Sequence, residues 1–219
     1  EILKKQKLSA QLSTYPGGEK SKTKKMAIKI GRELARSGID KSTVIIALGG
    51  GVTGDIAGFI ASFYERGIDF IQIPTTLLAM TDSSVGGKTG VDIPEGKNMF
   101  GTFYQPKKVI IDVSILKTLP KKEFGNGFAE IIKYGMTIDS KLFKTLESSP
   151  RLNLGEIIER SCEIKADIVE RDEKEGELRK ILNYGHTIGH AIEVAENFKV
   201  PHGAGVALGM VYEGKIAVA

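Results

Sequence analysis

With 219 residues, 41% of them hydrophobic and 26% charged, the chain has ordinary globular composition and room for one large domain or two small ones, which excludes disordered and fibrous classes. A formal net charge of +4 is modest, and no basic stripe with interleaved aromatics is present, so Lys20, Lys22, Lys24 and Lys25 read as solvated lysines and anion ligands, not a nucleic-acid surface. Apolar runs are far shorter than the about 20 residues of a membrane span, residues 1–7 lack a secretory apolar core, and the lone Cys162 excludes an internal disulfide, so the expectation is a cytoplasmic protein with no membrane partner.

Met26, Ile30 and Leu34 recur every four residues and predict an amphipathic helix ending near Gly38. Thr43 to Leu48 is a β-branched apolar run, read as a buried parallel strand. A glycine-rich turn follows, then a helical pattern from Asp55 to about Tyr64 and a strand from Ile68 to Ile73, stopped by Pro74. Thr75 to Pro106 reads as a long polar loop, and Val109 to Asp112 as a further strand. After Pro120 only helical patterns occur, at Glu123–Tyr134, Ser140–Glu147, Leu154–Arg171, Arg179–Asn197 and from Gly203 onward. The expected fold is an α/β nucleotide-binding domain with a Rossmann-like parallel sheet (1–118), followed by an all-α domain for metal and substrate (119–219). Glu1 to Thr14 is a poor first strand and the last helix lacks a capping signal, so both domains are expected to be incomplete at their outer ends.

The turn Gly49-Gly50-Gly51-Val52-Thr53-Gly54 carries dinucleotide-fingerprint glycine spacing between a strand and a helix, where backbone can approach a pyrophosphate at a helix N-terminus. The acidic residue expected at the end of the next strand is missing, since Gln72 and Ile73 stand there; a plain tight turn is the alternative. Gly86-Gly87-Lys88-Thr89 is not a P-loop, because Asp82 occupies the position of its first glycine. Lys88, Lys97 and Asn98 nevertheless give that region the composition of a phosphate grip.

Arg179, Asn183, His186, His190 and Glu193 step by 4, 3, 4 and 3, which lines them along one helix face. Ile188, Ala191, Ile192 and Ala195 form an apolar side, so the polar stripe reads as a ligand-lined cleft, against the alternative of a solvated face. A helix hairpin would bring His202 back toward His186. Glu130 sits among apolar residues of its own helix, where an unpaired charge is costly and a metal removes the cost. Two histidines and one glutamate with an open position match a catalytic zinc site.

Together these motifs resemble the 3-dehydroquinate synthase family of sugar-phosphate cyclases. The resemblance runs from about Pro16 to the last residue and rests on Gly49 to Asp55, Pro74 to Ala79, Asp82 to Gly90, Gly96 to Met99, Ala129 to Gly135 and Gly185 to His190. It implies a zinc or cobalt ion on Glu130, His186 and His202. It implies an NAD site from Gly18, Glu19, Lys22, Gly51, Val52, Thr53, Gly54, Asp55, Thr75 and Thr76, with Lys88 and Lys97 near the cofactor and Ile115, Leu116, Lys117 and Thr118 closing over it. Substrate contacts would come from Asp82, Lys88, Asn98, Lys133, Lys165, Arg179, Asn183 and His190, and from Arg66 across a homodimer interface. One departure is Asp92, where the family usually carries Asn two residues before the loop proline.

The implied reaction turns 3-deoxy-D-arabino-heptulosonate 7-phosphate into 3-dehydroquinate and phosphate, by transient oxidation with NAD, elimination, re-reduction and ring closure. His190 is the expected proton relay, unless the substrate phosphate takes the proton itself. The rival readings are an inosose-forming cyclase, a metal-dependent alcohol dehydrogenase and a protein with merely structural zinc.

Overall fold

The computed structural model describes residues 5–6, 8–148, 153–197 and 199–219; residues 1–4, within the stretch read as a poor strand, lie outside that set. Helix α1 (Lys24–Arg36) starts where the Thr23 side chain accepts a hydrogen bond from the Met26 amide at 3.2 Å. It buries Ala27 and Ile30 against Ile56, Ile60 and Val91. Strands β1 (Ile45–Gly49), β2 (Phe70–Pro74) and β5 (Lys108–Val109) form a parallel sheet in the order β1-β2-β5. The last of these is shorter than expected, two residues where the sequence suggested four.

Helix α2 (Gly51–Phe63) crosses between β1 and β2 and buries Ile56, Ile60 and Ala61. Its start lies four residues before the expected Asp55, because the glycine turn itself is its first turn. The opposite sheet face is bare: Val44, Ile46, Leu48 and Ile110 are exposed, so β1 is not the fully buried strand its composition suggested. A parallel strand needs a helical layer on each side, and the described residues supply one.

The predicted loop 75–106 is structured. A one-turn π-helix (Ala79–Ser83) is followed by an antiparallel hairpin of β3 (Lys88–Ile93) and β4 (Gly96–Phe103). Glycine hid the hairpin in the sequence but is what lets it form, since a Cβ on Gly101 would lie 2.5 Å from the Thr89 carbonyl oxygen.

Beyond Pro120 every described element is helical: α3 (Lys121–Thr137), α4 (Ser140–Ser148), α5 (Leu154–Arg171), α6 (His186–Ala195) and α7 (His202–Ala217), with a 3-10 turn at Leu178–Asn183. Their core joins Ile131, Tyr134, Ile157, Ile158, Ile164 and Ile168 to Leu77 and Met80 from the other part of the chain. The single helix expected over 179–197 is broken at Gly185, whose φ of 80° is left-handed. The break lets α6 fold back on α7 at backbone contact, where a Cβ on Gly209 would stand 1.9 Å from the Gly185 oxygen. Among the described residues no helix is long and apolar enough to cross a membrane.

Candidate metal and nucleotide site

The α6–α7 hairpin sets His186 and His202 at the first positions of their helices and turns both toward α3. There Glu130 is fully buried, its Oε2 contacting the ammonium of Lys133, which is itself buried one turn along. Among the described residues the other oxygen, Oε1, has no hydrogen bond; the Nε2 atoms of His186 and His202 stand off it at 3.5 and 3.4 Å. An orphaned buried carboxylate oxygen costs a few kcal/mol unless something satisfies it. One donor atom each from Glu130, His186 and His202 lie within 4.8 Å of one another, a set that fits a cation with an open coordination position.

Each histidine has a partner for its second nitrogen. His186 Nδ1 is 3.2 Å from the Tyr184 carbonyl, and His202 Nδ1 is 2.8 Å from Glu193 Oε1. These bonds leave both Nε2 atoms for the shared space. Burial opposes ionisation of Glu130, but adjacent Lys133 outweighs it and holds the carboxylate below its usual range. Burial lowers His186, with Lys133 adding to the effect. Burial also works against a charge on His202, yet Glu130 and Glu193 together raise it to about 9.

The start of α6 is held from α7. The Glu213 carboxylate accepts from the Gly185 amide at 2.7 Å and the Ile188 amide at 3.1 Å, and the Tyr184 hydroxyl donates to the Met210 carbonyl at 2.8 Å. A carboxylate on otherwise unbonded amides at a helix start is the favourable sign for the helix dipole. His190 lies one turn beyond His186, with ring centroids 5.2 Å apart. Burial lowers its pKa and Glu193 partly opposes this, so the ring is neutral near pH 7.

Of the expected substrate-binding cations, Lys88, Lys133, Lys165 and Arg179 all have partners within the protein. Lys165 donates to the Asp82 carbonyl and carboxylate at 2.7 and 2.6 Å, and Tyr134 donates to the same carboxylate. Burial resists the Asp82 charge, but Lys165 and Lys133 win and hold it far below the usual range. Lys88 is paired with Glu175, which also accepts from Asn183 at 2.9 Å. Arg179 is buried, and its guanidinium donates to the carbonyls of Gly86 (3.1 Å) and Glu173 (2.6 Å), bracing the turn before Lys88.

On the nucleotide side, the C-terminal ends of the three parallel strands carry Gly49–Gly51, Thr75–Thr76 and, after β5, the 3-10 turn Val113–Thr118. Open α/β sheets bind ligands at that end. The Thr75 amide donates to Gly49 at 2.9 Å, and Thr76 lies against Gly50. Gln72 is buried beneath α2 against Gly54, a packing role that accounts for the missing acidic residue. Lys22 contacts Asp55 and donates to Asn98 Oδ1 at 2.5 Å, while Lys97 lies 3.9 Å from Glu19, so Glu19, Lys22, Asp55, Lys97 and Asn98 form one cluster. Gly18 precedes a 3-10 turn, Glu19–Ser21, and caps it at φ 98°. Asp92 accepts from the Asn98 amide at 2.8 Å and so shapes the hairpin turn. In the 3-10 turn, Leu116 is buried in the helical core, and no hydrogen bond among the described residues joins Ile115, Lys117 or Thr118 to the glycine turn.

Arg66 stands apart. It and Glu65 adopt positive φ (65° and 48°) on an exposed turn, and among the described residues Arg66 makes no hydrogen bond or ion pair.

Three acidic residues escaped the candidate set drawn from sequence. Glu193 was read as part of the polar stripe, yet it is the buried side chain of α6 while Ala191 and Ala195 are exposed, the reverse of the expected facing. Glu175 had one signal, its charge close to Arg179, and Glu213 had none.

Fold and site together combine a glycine-rich turn at the strand ends of a parallel sheet with a two-histidine, one-glutamate cluster in the helical part. Residues 12–126 match the family model for the 3-dehydroquinate synthase N-terminal region and residues 127–219 match that for its C-terminal region. The chain belongs to the 3-dehydroquinate synthase family. It is 52% identical over 226 aligned positions to a 3-dehydroquinate synthase of Thermoanaerobacter sp. (strain X514), covering 100% of this chain and 64% of that relative, so it spans under two thirds of the relative's length. Among solved structures it is similar to 2-deoxy-scyllo-inosose synthase complexed with carbaglucose-6-phosphate, NAD+ and Co2+ (37% identity, TM-score 0.85, 93% of this chain and 59% of that one). It is also similar to the NAD+- and Zn2+-bound 2-epi-5-epi-valiolone synthase of Streptomyces hygroscopicus subsp. jinggangensis 5008 (28%, TM-score 0.89, 95% and 61%).

Proposed function

We propose that this chain performs the 3-dehydroquinate synthase reaction, releasing phosphate from 3-deoxy-D-arabino-heptulosonate 7-phosphate to form 3-dehydroquinate. The observation that carries the reading is Glu130 Oε1, buried without a hydrogen bond and faced by two imidazole Nε2 atoms. Glu130, His186 and His202 would hold a zinc or cobalt ion, and Gly51–Asp55, Thr75 and Thr76 the NAD. When bound, the cation supplies Lewis-acid polarisation of a substrate hydroxyl and NAD accepts and returns one hydride.

The chain's own residues do the rest. Glu175 pairs with the Lys88 ammonium and accepts from the Asn183 amide until an anionic substrate group competes for them. Arg179 holds the Gly86 turn so that Lys88 stays presented, which makes it a brace in this conformation. Lys165, Asp82 and Tyr134 form a fixed wall beside Lys133, whose ammonium balances Glu130. Neutral His190 has a free lone pair for a hydroxyl proton. Arg66, unpartnered among the described residues and at positive φ on an exposed turn, would serve a second copy of the chain in a homodimer.

The test is phosphate release from the heptulosonate phosphate with NAD+ and Co2+, with and without a chelator, while following NADH absorbance. Metal-dependent phosphate release without NADH accumulation is expected, and His186→Ala should lose metal and turnover together. Steady NADH accumulation would overturn the reading in favour of a dehydrogenase, and phosphate release from glucose 6-phosphate alone in favour of an inosose-forming cyclase.

A further inference from the structure

We infer that Glu193 is a positioning residue of the metal centre: it fixes His202 in the tautomer that presents Nε2 to the ion, and ties that ligand to Lys97 on β4. The inference rests on the metal reading above. Glu193 is 3% exposed, although the side chains around it on α6 are largely open to solvent. Its Oε1 lies 2.8 Å from His202 Nδ1, and its Oε2 lies 3.4 Å from the Lys97 ammonium.

Room for the carboxylate is made by Gly205 on α7, where a Cβ would stand 3.3 Å from Glu193 Cγ and 3.5 Å from its Oε1. An ionised carboxylate is costly to bury without partners, so a site that clears space for one and supplies two is built for it. Because Glu193 accepts at Nδ1, that nitrogen carries the proton and Nε2 keeps its lone pair once a metal is bound. Lys97 comes from the hairpin beside Lys22 and Asn98, so the nucleotide-side cluster and the metal ligand share one chain of contacts.

The donor atoms of His190, Glu193 and His202 also lie within 4.8 Å of one another, which raises a second ion as the competing explanation. The Lys97 ammonium beside Glu193 argues against it, because a second cation there would meet a positive charge.

The experiment is a titration of the metal-free chain with Co2+, read by its visible absorption band and by competition with a chelator. Wild type should bind one ion; failure to do so would sink the metal reading itself, independently of Glu193. Relative to wild type, Glu193→Gln should weaken Co2+ binding about tenfold and Glu193→Ala about a hundredfold, with a shifted band, the range for lost outer-sphere carboxylates. Glu193→Asp, with the charge kept but withdrawn, should fall between wild type and Ala, and Lys97→Gln should give a smaller loss than Glu193→Gln. Should the Ala variant fail to fold by circular dichroism, the Gln and Asp variants decide. Wild-type affinity and band in either overturns the inference, and so do two Co2+ per chain with one lost in Glu193→Gln.

Discussion

The candidate metal cluster is made of side chains from residues 130, 186 and 202, whereas the candidate nucleotide turn at Gly49–Gly54 offers mostly backbone. In the first, function depends on charges that have been desolvated and must be answered within the protein. In the second it depends on backbone, since the glycines let Thr53, Thr76, Ser83 and Gln72 pack against the turn and, among the described residues, the start of α2 has no side-chain cap. The two regions should therefore break differently. Damage to the cluster should propagate into folding, while damage to the turn should stay local to ligand binding.

The largest effect is expected at Glu130. Replacing it with Ala leaves the buried Lys133 ammonium unpaired, because nearby Asp82 is already engaged by Lys165 and Tyr134. Breaking one side of a buried ion pair costs about 3–5 kcal/mol, so urea unfolding of metal-free Glu130→Ala should show a loss of that size, along with abolished Co2+ binding. Adding Lys133→Met should restore most of the stability and none of the metal affinity. If the double variant is no more stable than the single one, the cluster is not held by that pair.

Next in size is the proton linkage at His202. Its folded value, about 9, lies above its ordinary 6.5. The stabilisation it gives the metal-free chain is therefore complete below pH 6.5 and is lost as pH rises through about 9. A metal needs the same nitrogen and must displace the proton, so Co2+ affinity should climb about tenfold per pH unit from neutrality to about pH 9 and then level off. Flat affinity over that range, in a chelator-competition series, would mean that no proton on His202 competes with the ion.

The same contrast governs what could be read before the structure. The strand, glycine turn and helix at 45–63 were legible because periodicity and turn chemistry are local. The histidine stripe was legible because its 4, 3, 4, 3 spacing is helical, even though the helix breaks at Gly185. What stayed hidden is long-range. Lys88 meets Glu175 from 87 positions away and Lys97 meets Glu193 from 96, and no local pattern reports such pairs. The β3–β4 hairpin was hidden for a different reason: Gly90 and Gly101 suit a close backbone approach but depress every strand signal.

The smallest effect on the protein itself should come from Gly50→Ala. Gly50 has φ −78° and ψ −172°, ordinary for alanine, so the backbone does not demand glycine. Its new methyl would meet Thr76 Cγ2 at 3.1 Å, a tight contact with a side chain that can yield by a few tenths of an ångström. Stability should drop by no more than about 1 kcal/mol, the scale of losing a good cap residue. A dinucleotide, however, needs its pyrophosphate against this backbone, so NADH binding followed by fluorescence should weaken about tenfold while Co2+ affinity stays at the wild-type value. A loss of both together would mean that the turn and the cluster are one mechanical unit, and unchanged NADH binding would mean that the pyrophosphate lies elsewhere.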